Sequence, residues 1–460
     1  NDTTPSFQFT TNEAGTLSTS ISQGFSSPDP ANVTTGSIQT IIFNTLPQGT
    51  YSGETITVTD DANNAASLTL PDFVIDTTAP TLSQVTPITT PSNNTTPSYV
   101  FTTNESGTLT TNISQGFSSP NPATVNTSGN QTITFNILPE GTYSGKTITV
   151  TDAANNAASL TIPDFVIDTT APSLTQVTPI TTPSNNTTPS YVFRTNQDGT
   201  LTTSITQGFS TSSSVTSGSD QTVTFNALPA GIYSDETITV TDAAGNTGSL
   251  ILPDFEIDTT VPIFSDLYPQ DNNTVKNSNV GYTLSKNLSS GTVTYSRTGG
   301  TADDNSPYNS NLSGSELNSG RFSGTLTNGP TGPTALVNGS IYSITFNGTD
   351  SAGNNASTVT ITGITVDTTS PSVTNIVYSP TGPYKNGDSV TITSTFSEAI
   401  ADSPNLQIVI SGSGIANVSA TNMTKNSVTE YSFIYSVPTG NGTGTITFIG
   451  NDSSGNSISN

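Results

Sequence analysis

Three near-copies of one segment constrain this chain more than any single residue does. The string TITVTD occurs at Thr55–Asp60, Thr147–Asp152 and Thr237–Asp242, and a PDFxIDTT string follows each at Pro71, Pro163 and Pro253. The copies lie 92 and then 90 residues apart. Weaker copies continue: GTDSAGN at Gly348–Asn354 leads to VDTTSP at Val366–Pro371, and GNDSSGN stands at Gly450–Asn456. A period of this size marks tandem units that each fold as one block. Five D-x-x-[GN]-N turns, starting at Asp60, Asp152, Asp242, Asp350 and Asp452, count the units. Boundaries in the D-T-T-x-P segments give 1–78, 79–170, 171–260, 261–369 and 370–460. Proline stiffens each connection, so the expected assembly is an elongated rod.

Within a unit the apolar period is two, not 3.6. In the second, Tyr99 and Phe101, Ile133 and Phe135, Ile148 and Val150, and Phe165 and Ile167 alternate with Thr, Ser and Asn. Threonine keeps β preference while facing water. Turn residues break the runs at Asn104–Gly107, Pro139–Gly141 and Asn155–Asn156. Six or seven short strands without a helical stretch predict an all-β, two-sheet sandwich. Tyr51, Tyr143 and Tyr233 each follow an L-P-x-G-x corner and are expected to open the penultimate strand, where a tyrosine corner sits in an immunoglobulin-like sandwich. Tyr342 is expected in the same place in the fourth unit.

Composition removes many chemistries. The chain has no Cys, His or Trp, which excludes zinc–thiolate sites, an imidazole base, a cysteine nucleophile and disulfides. A net charge of −25 with eight cations lacks the basic face that nucleic acid or an anionic membrane requires, and no apolar run is long enough to span a bilayer. The chain opens at Asn1 on polar residues, without a signal-peptide pattern. Paired carboxylates remain as a catalytic option, but without an aromatic cleft the expectation is no enzyme. The first Lys or Arg is Lys146, so the first unit cannot form a Lys–Asn cross-link, and trypsin-like proteases find no target before it.

The runs FTTNESGTLT, QTITFN, GTYS, TITVTDAAGN and FVIDTTAP resemble the bacterial immunoglobulin-like repeats of large cell-surface proteins. The fifth unit, with GPYKNGDSVTITSTFSEAIADSP and TNMTKNS, is similar to an immunoglobulin-like type of bacterial adhesins and archaeal surface-layer proteins. This resemblance covers essentially the whole chain. It implies five tandem immunoglobulin-like sandwiches and an extracellular, cell-surface location, while leaving the role open. Where some relatives carry a Cys pair, Phe117 and Lys146 stand nearby. Asn1–Pro5 aligns with Asn93–Pro97, so the first unit lacks the strand region matching Thr81–Ser92, and the fifth stops short of its final strand. The expectation is an excerpt of a longer repeat protein; the other reading is that neighbouring subunits complete the terminal units.

The acidic residues are the candidate site. The B–C and F–G loops of such a sandwich share the pole that receives the preceding linker. That brings together Asp76, Glu105 and Asp152; Asp168, Asp198 and Asp242; and Asp367, Glu398 and Asp452. Calcium takes six to eight oxygen ligands, several of them carboxylates, and would lock each hinge. At the third junction Lys286 stands where an acid is expected, near Asp258 and Asp350, and predicts a salt bridge. The plainer reading is that each turn Asp caps its own turn. Threonine arrays such as Thr147–Thr151 could meet ice or crystalline carbohydrate, but a twisted sheet spoils the lattice match. Sequons at Asn94, Asn130, Asn347 and Asn422 permit glycosylation. The expected role is an adhesin or fibre stalk, acidic and cation-concentrating. The alternatives are a surface-layer or filament subunit that assembles by self-contact, and a carbohydrate-binding module. The expected partners are copies of itself, neighbouring surface proteins or glycans.

Overall fold

The alternation read from the sequence is the burial pattern of the strands. In Ser98–Thr103, Tyr99, Phe101 and Thr103 are buried and the residues between them are not; in Thr147–Thr151, Ile148 and Val150 are buried between partly exposed threonines. The computed structural model describes residues 1–332 and 335–460. Internal contacts group them into two units: Asn1–Pro179 with Tyr191–Val223 and Glu236–Leu252, and Ile180–Ser190 with Thr224–Asp235 and Pro253–Asn460.

In the first unit, the second repeat shows the plan most fully. One sheet runs Leu82–Thr86, Ser98–Thr103, Gln131–Phe135, Phe117–Ser119, and the facing sheet runs Thr124–Val125, Gly107–Thr111, Thr147–Thr151, Ala157–Thr161, all antiparallel. Tyr99, Phe101, Ile133 and Phe135 from one sheet meet Leu109, Ile148 and Val150 from the other in a closed apolar core. On the outer face, threonines bond across strands: Thr149 Oγ1 lies 2.7 Å from Ser159 Oγ, and Thr57 pairs with Ser67 in the same way. The first repeat repeats this plan around Phe9, Leu17, Ile41 and Phe43. The third contributes the sheet Ser214–Val215, Gly199–Thr203, Thr237–Thr241, Thr247–Ile251.

The tyrosines form corners, but not at the start of the strand expected for them. Tyr143 lies on a three-residue strand, Gly141–Tyr143, that pairs with Phe165–Ile167. Gly145 follows at φ +62°, a left-handed conformation that glycine adopts without a Cβ clash. The chain turns there and enters Thr147–Thr151 in a different sheet. The Tyr143 hydroxyl donates to the Pro139 carbonyl at 2.8 Å, and its ring stacks on Phe165 at 4.9 Å. Tyr51 and Tyr233 donate likewise to Pro47 and Pro229, at 3.0 Å each.

The second unit holds the strand pair Gly231–Tyr233 with Phe255–Ile257 and the fourth and fifth repeats. The fourth repeat packs Phe264–Tyr268, Val280–Leu284, Gly320–Gly324 against Thr274–Val275, Val359–Val366, Ser340–Thr349, Ser290–Gly300, Tyr308–Asn311, with Tyr282, Tyr295 and Phe346 in the core. Tyr342 makes no proline corner there. It is buried within the long Ser340–Thr349 strand, where its hydroxyl donates to Asp303 Oδ2 at 2.5 Å and accepts the Val337 N–H at 3.1 Å. The fifth repeat packs Val373–Ser379, Ser389–Phe396, Glu430–Ser436, Thr424–Lys425 against Val418–Asn422, Gln407–Ser413, Thr443–Ile449. Early and late segments of a repeat meet in parallel at Ser92 with Ile167, at Ser184 with Ile257, and at Thr274–Val275 with Thr365–Val366. The chain is a series of tandem immunoglobulin-like β-sandwich domains.

Candidate functional site

Each D-x-x-[GN]-N turn is built by its first and last residues. In the second repeat the Asp152 carboxylate accepts the Asn156 N–H at 2.8 Å and the Asn156 side-chain amide at 2.9 Å. The fourth position is left-handed, Asn155 at φ +65° and Gly245, Gly353 and Gly455 near +90° in the later turns, which is why only Asn or Gly appears there. The second amide hydrogen of the terminal Asn reaches into the preceding repeat. Asn156 donates to the Asp76 carbonyl at 3.0 Å, Asn246 to Asp168 at 2.9 Å, Asn354 to Asp258 at 2.8 Å and Asn456 to Asp367 at 2.9 Å. Each linker Asp caps its own Asp-Thr-Thr bend, Asp76 accepting the Thr78 N–H at 3.0 Å.

A second strap closes the same junctions. The Asn93 N–H donates to the Ala244 carbonyl at 3.1 Å, Asn185 to Ala352 at 2.9 Å, and Lys276 Nζ to Gly455 at 2.7 Å; the Asn1 amino group meets Ala154 at 2.6 Å. Each junction lies within one of the two units. The same clasp is thus built four times from one repeated turn.

One position beside the clasp varies. The residue before it anchors the linker: Asn104 Oδ1 accepts the Thr81 N–H at 2.6 Å, Asn196 that of Ser173, Ser285 that of Ile263 and Ser397 that of Ser372. This register makes Glu105, Gln197, Lys286 and Glu398 equivalents. Glu105 joins Asp76 and Asp152, and Glu398 joins Asp367 and Asp452, each trio offering three carboxylate oxygens within 4.8 Å of one another. Among the described residues these are the two groups with metal-ligand spacing. The first opens into a cleft of about 500 Å³ lined also by Val74 and Thr127.

At the second junction Asp168, Asp198 and Asp242 do not meet in this way. Asp198 stands one residue further on, and its carboxylate accepts the Ser217 N–H at 2.7 Å, a bond that holds it below the ordinary range. The residue at the junction is Gln197, whose amide donates to the Thr170 carbonyl at 3.1 Å. At the third junction Lys286 Nζ lies against Asp258 Oδ2 and 2.7 Å from Asp350 Oδ2.

The electrostatics differ accordingly. Burial raises the Glu105 and Glu398 carboxyls, and the facing aspartates raise them further. Glu398 Oε1 is buried without a hydrogen-bond partner. Burial also acts to raise Asp152, but the bonds from Asn156 and Ala154 outweigh it and hold it low. Asp350 is held down to about 2: burial opposes this, while Lys286 and Asn354 bond its charged form. The trios can offer oxygens to a hard divalent cation, a role the Lys286 ammonium fills at the third junction.

One feature was not visible in the sequence. In the fifth repeat Tyr378, Tyr384 and Tyr435 line a cavity of about 280 Å³ with Ile410 and Ile415, rimmed by Gly440 and Gly442. Tyr378 and Tyr384 lie close together in the chain and Tyr435 on the later strand Glu430–Ser436, and no local motif links the three.

Fold and junctions define a tandem array of immunoglobulin-like sandwiches clasped turn to linker. No family model and no curated protein matches the chain. Among solved structures, the chicken CNTN1 FN1–FN3 domains align with 63% of this chain and 94% of their own, at 11% identity and a TM-score of 0.26. The Bacteroides ovatus mixed-linkage glucan utilization locus SGBP-B, solved with a mixed-linkage heptasaccharide, aligns with 79% of this chain and 93% of its own, at 15% identity and a TM-score of 0.16. A Salmonella alpha-2-macroglobulin mutant aligns with 99% of this chain but only 39% of its own, at 7% identity and a TM-score of 0.16. At these scores the likenesses carry no argument about what this chain does. Among the described residues no helix is long and apolar enough to cross a membrane.

Proposed function

We propose that this chain is a non-catalytic structural segment of an extracellular cell-surface protein, a stalk that holds its neighbours at a set spacing. The observation that carries the reading is the clasp, made by the same Asn side chain onto the same linker carbonyl at four junctions. A stalk needs junctions that resist bending, and repetition of one junction supplies them. Calcium completes the junctions at Asp76, Glu105 and Asp152 and at Asp367, Glu398 and Asp452. Support comes from the third junction, where an ammonium sits between the equivalent aspartates, and from the unpartnered Glu398 oxygen.

Electron microscopy of cells bearing the parent protein tests the role. Isolated hairs are expected; a periodic sheet or filament overturns the stalk in favour of a surface layer, which the divergent fourth and fifth repeats would suit. Calcium titration calorimetry on the full chain tests the junctions, and the absence of heat removes calcium. The tyrosine-lined cavity of the fifth repeat favours a second reading, glycan binding; a glycan array with a Tyr384→Ala control decides it.

A further inference from the structure

A tyrosine and an arginine meet on the outer face of the fourth repeat. The three-stranded sheet there runs Phe264–Tyr268, Val280–Leu284, Gly320–Gly324. On the middle strand Val280, Tyr282 and Leu284 belong to the core, so Gly281 and Thr283 face outward. In the second and third repeats the matching outward pairs are Thr86 with Val100 and Thr178 with Val192. In the fourth the pair is Tyr268 with Gly281. A large ring thus stands opposite the one residue that has no side chain. The register shifts between Ser265 and Tyr268, and Asp266 between them lies at φ +48°. A bulge of this kind re-aims the side chains around it.

Arg321 reaches the same spot from the opposite edge strand. A Cβ on Gly281 would lie 3.3 Å from Arg321 Nη2 and 3.3 Å from Tyr268 Cβ. Gly281 is buried although it faces outward, because these two side chains cover it. Arg321 Nη1 donates to the Asp266 carbonyl at 2.9 Å, which holds the guanidinium across all three strands. Both covering residues stay open to solvent: Arg321 is exposed, and Tyr268 is 45% exposed. The ion pairs among the described residues engage Arg194, Lys286 and Lys425, and leave the Arg321 charge without a carboxylate. Ser323, opposite Gly281 on the edge strand, adds an exposed hydroxyl.

We propose that Tyr268, Gly281 and Arg321 form a binding platform for a carboxylated sugar, a hexuronate unit of an acidic glycan. A pyranose ring has an apolar C–H face, which an exposed aromatic ring covers. A guanidinium fork matches a carboxylate and gives it two parallel N–H bonds. The bond to Asp266 uses one of the five N–H groups of Arg321, so a fork remains for a ligand. Charge complementarity selects the acid. The chain carries eight cations against a net charge of −25, and an unpaired guanidinium is a scarce point of attraction for an anion. At physiological salt the acids beyond about 8 Å are screened from it. Thr283 and Ser323 border the platform with hydroxyls, which suit sugar hydroxyls better than the apolar side chains of a peptide. This inference is independent of calcium, of the stalk reading and of the cavity in the fifth repeat.

Titration of the full chain with trigalacturonate, read by saturation-transfer NMR and calorimetry, tests it. Binding in the millimolar range or tighter is expected. Arg321→Gln, Tyr268→Ala and methyl esterification of the sugar should each weaken it about tenfold or more. Lys425→Gln, which removes a cation elsewhere, should leave it unchanged. Esterification leaves the protein intact, so it decides the point even where a variant unfolds. No saturation transfer at millimolar sugar overturns the proposal. So does equal binding of the methyl ester, or loss of binding with Tyr384→Ala in place of Tyr268→Ala. Tighter binding of a tetraglutamate peptide also overturns it, since the face would then be a peptide site.

Discussion

Replacing Lys286 with Met keeps most of the apolar stem and deletes the charge that bridges the third junction. The Asp350 carboxyl is held down to about 2 against an ordinary 3.8, a preference for the charged form of about 2.5 kcal/mol at 1.36 kcal/mol per pH unit. Lys286 leads the groups that lower it, ahead of the Asn354 side chain and amide, so its share is about 1 kcal/mol. Asp258 is lowered chiefly by the same lysine. It is partly open to solvent, and screening reduces its part to a few tenths of a kcal/mol. The expected loss at pH 7 is about 1–2 kcal/mol, below the 3–5 kcal/mol of breaking a fully buried pair. The reason is that Asp350 keeps the bonds from Ala352 and Asn354. For a unit of 60–100 residues each kcal/mol corresponds to roughly 4–8 °C in Tm. Differential scanning calorimetry would read the melting shift, and hydrogen exchange across 255–262 and 348–356 would place it. The pH sign follows from a depressed acid: the stabilisation is present above about 4 and is lost as pH falls from 3.8 towards 2. The gap between wild type and Lys286→Met should therefore shrink to a small fraction of its pH 7 size at pH 2. A gap absent at pH 7, or equally large at pH 2, refutes the reasoning.

Further measurements address the remaining contacts. Gln197→Glu places a carboxylate with Asp168 and Asp242, and titration calorimetry should then find one more calcium site than in wild type. Chelation should lower the melting temperature, by about 2.7 kcal/mol of stability if free calcium stood at 100 times Kd; Glu398→Gln should remove part of that loss. In calcium-free buffer Glu398 is a raised acid, so the folded state holds its proton more tightly. Melts should show stability falling as pH rises through its folded value from 4.5 upwards, the opposite sign to Asp350. Asn156→Ala deletes bonds to Asp152 and Asp76, whereas Asn64→Ala deletes an exposed bond to Asp60; denaturant melts should find the former costlier by about 1–2 kcal/mol. Tyr143→Phe should cost about 1 kcal/mol in the same assay, because the Pro139 bond is lost while the ring still stacks on Phe165.

Period-two threonine patterning exposed the strands because each buried apolar residue is flanked by a residue that tolerates water. The acid trios at Asp76, Glu105 and Asp152 and at Asp367, Glu398 and Asp452 were legible for a related reason: linker, loop and turn all recur, so one topology places every copy. Asp198 misled because it is charged and lies one residue from the true equivalent. The register is set by the quieter Asn196, whose side chain holds the Ser173 amide, and charge alone gave no sign of that. Tyr342 misled in another way. Its neighbourhood resembles a corner, but the fourth repeat supplies Asp303 as the hydroxyl's partner from a loop that the sequence does not place. The tyrosine cavity of the fifth repeat depends on Tyr384 meeting the strands Val373–Ser379 and Glu430–Ser436 in three dimensions and left no periodic trace.

The parallel bridges between early and late segments, such as Ser92 with Ile167 and Thr274–Val275 with Val366, decide how a repeat responds to tension. A pull on the two chain directions drags parallel partners past each other, so their hydrogen bonds are loaded together in shear rather than unzipped in turn. Resistance to pulling follows the height of the unfolding barrier and not the equilibrium stability. In single-molecule extension the repeats that carry such a bridge should therefore yield only at high force.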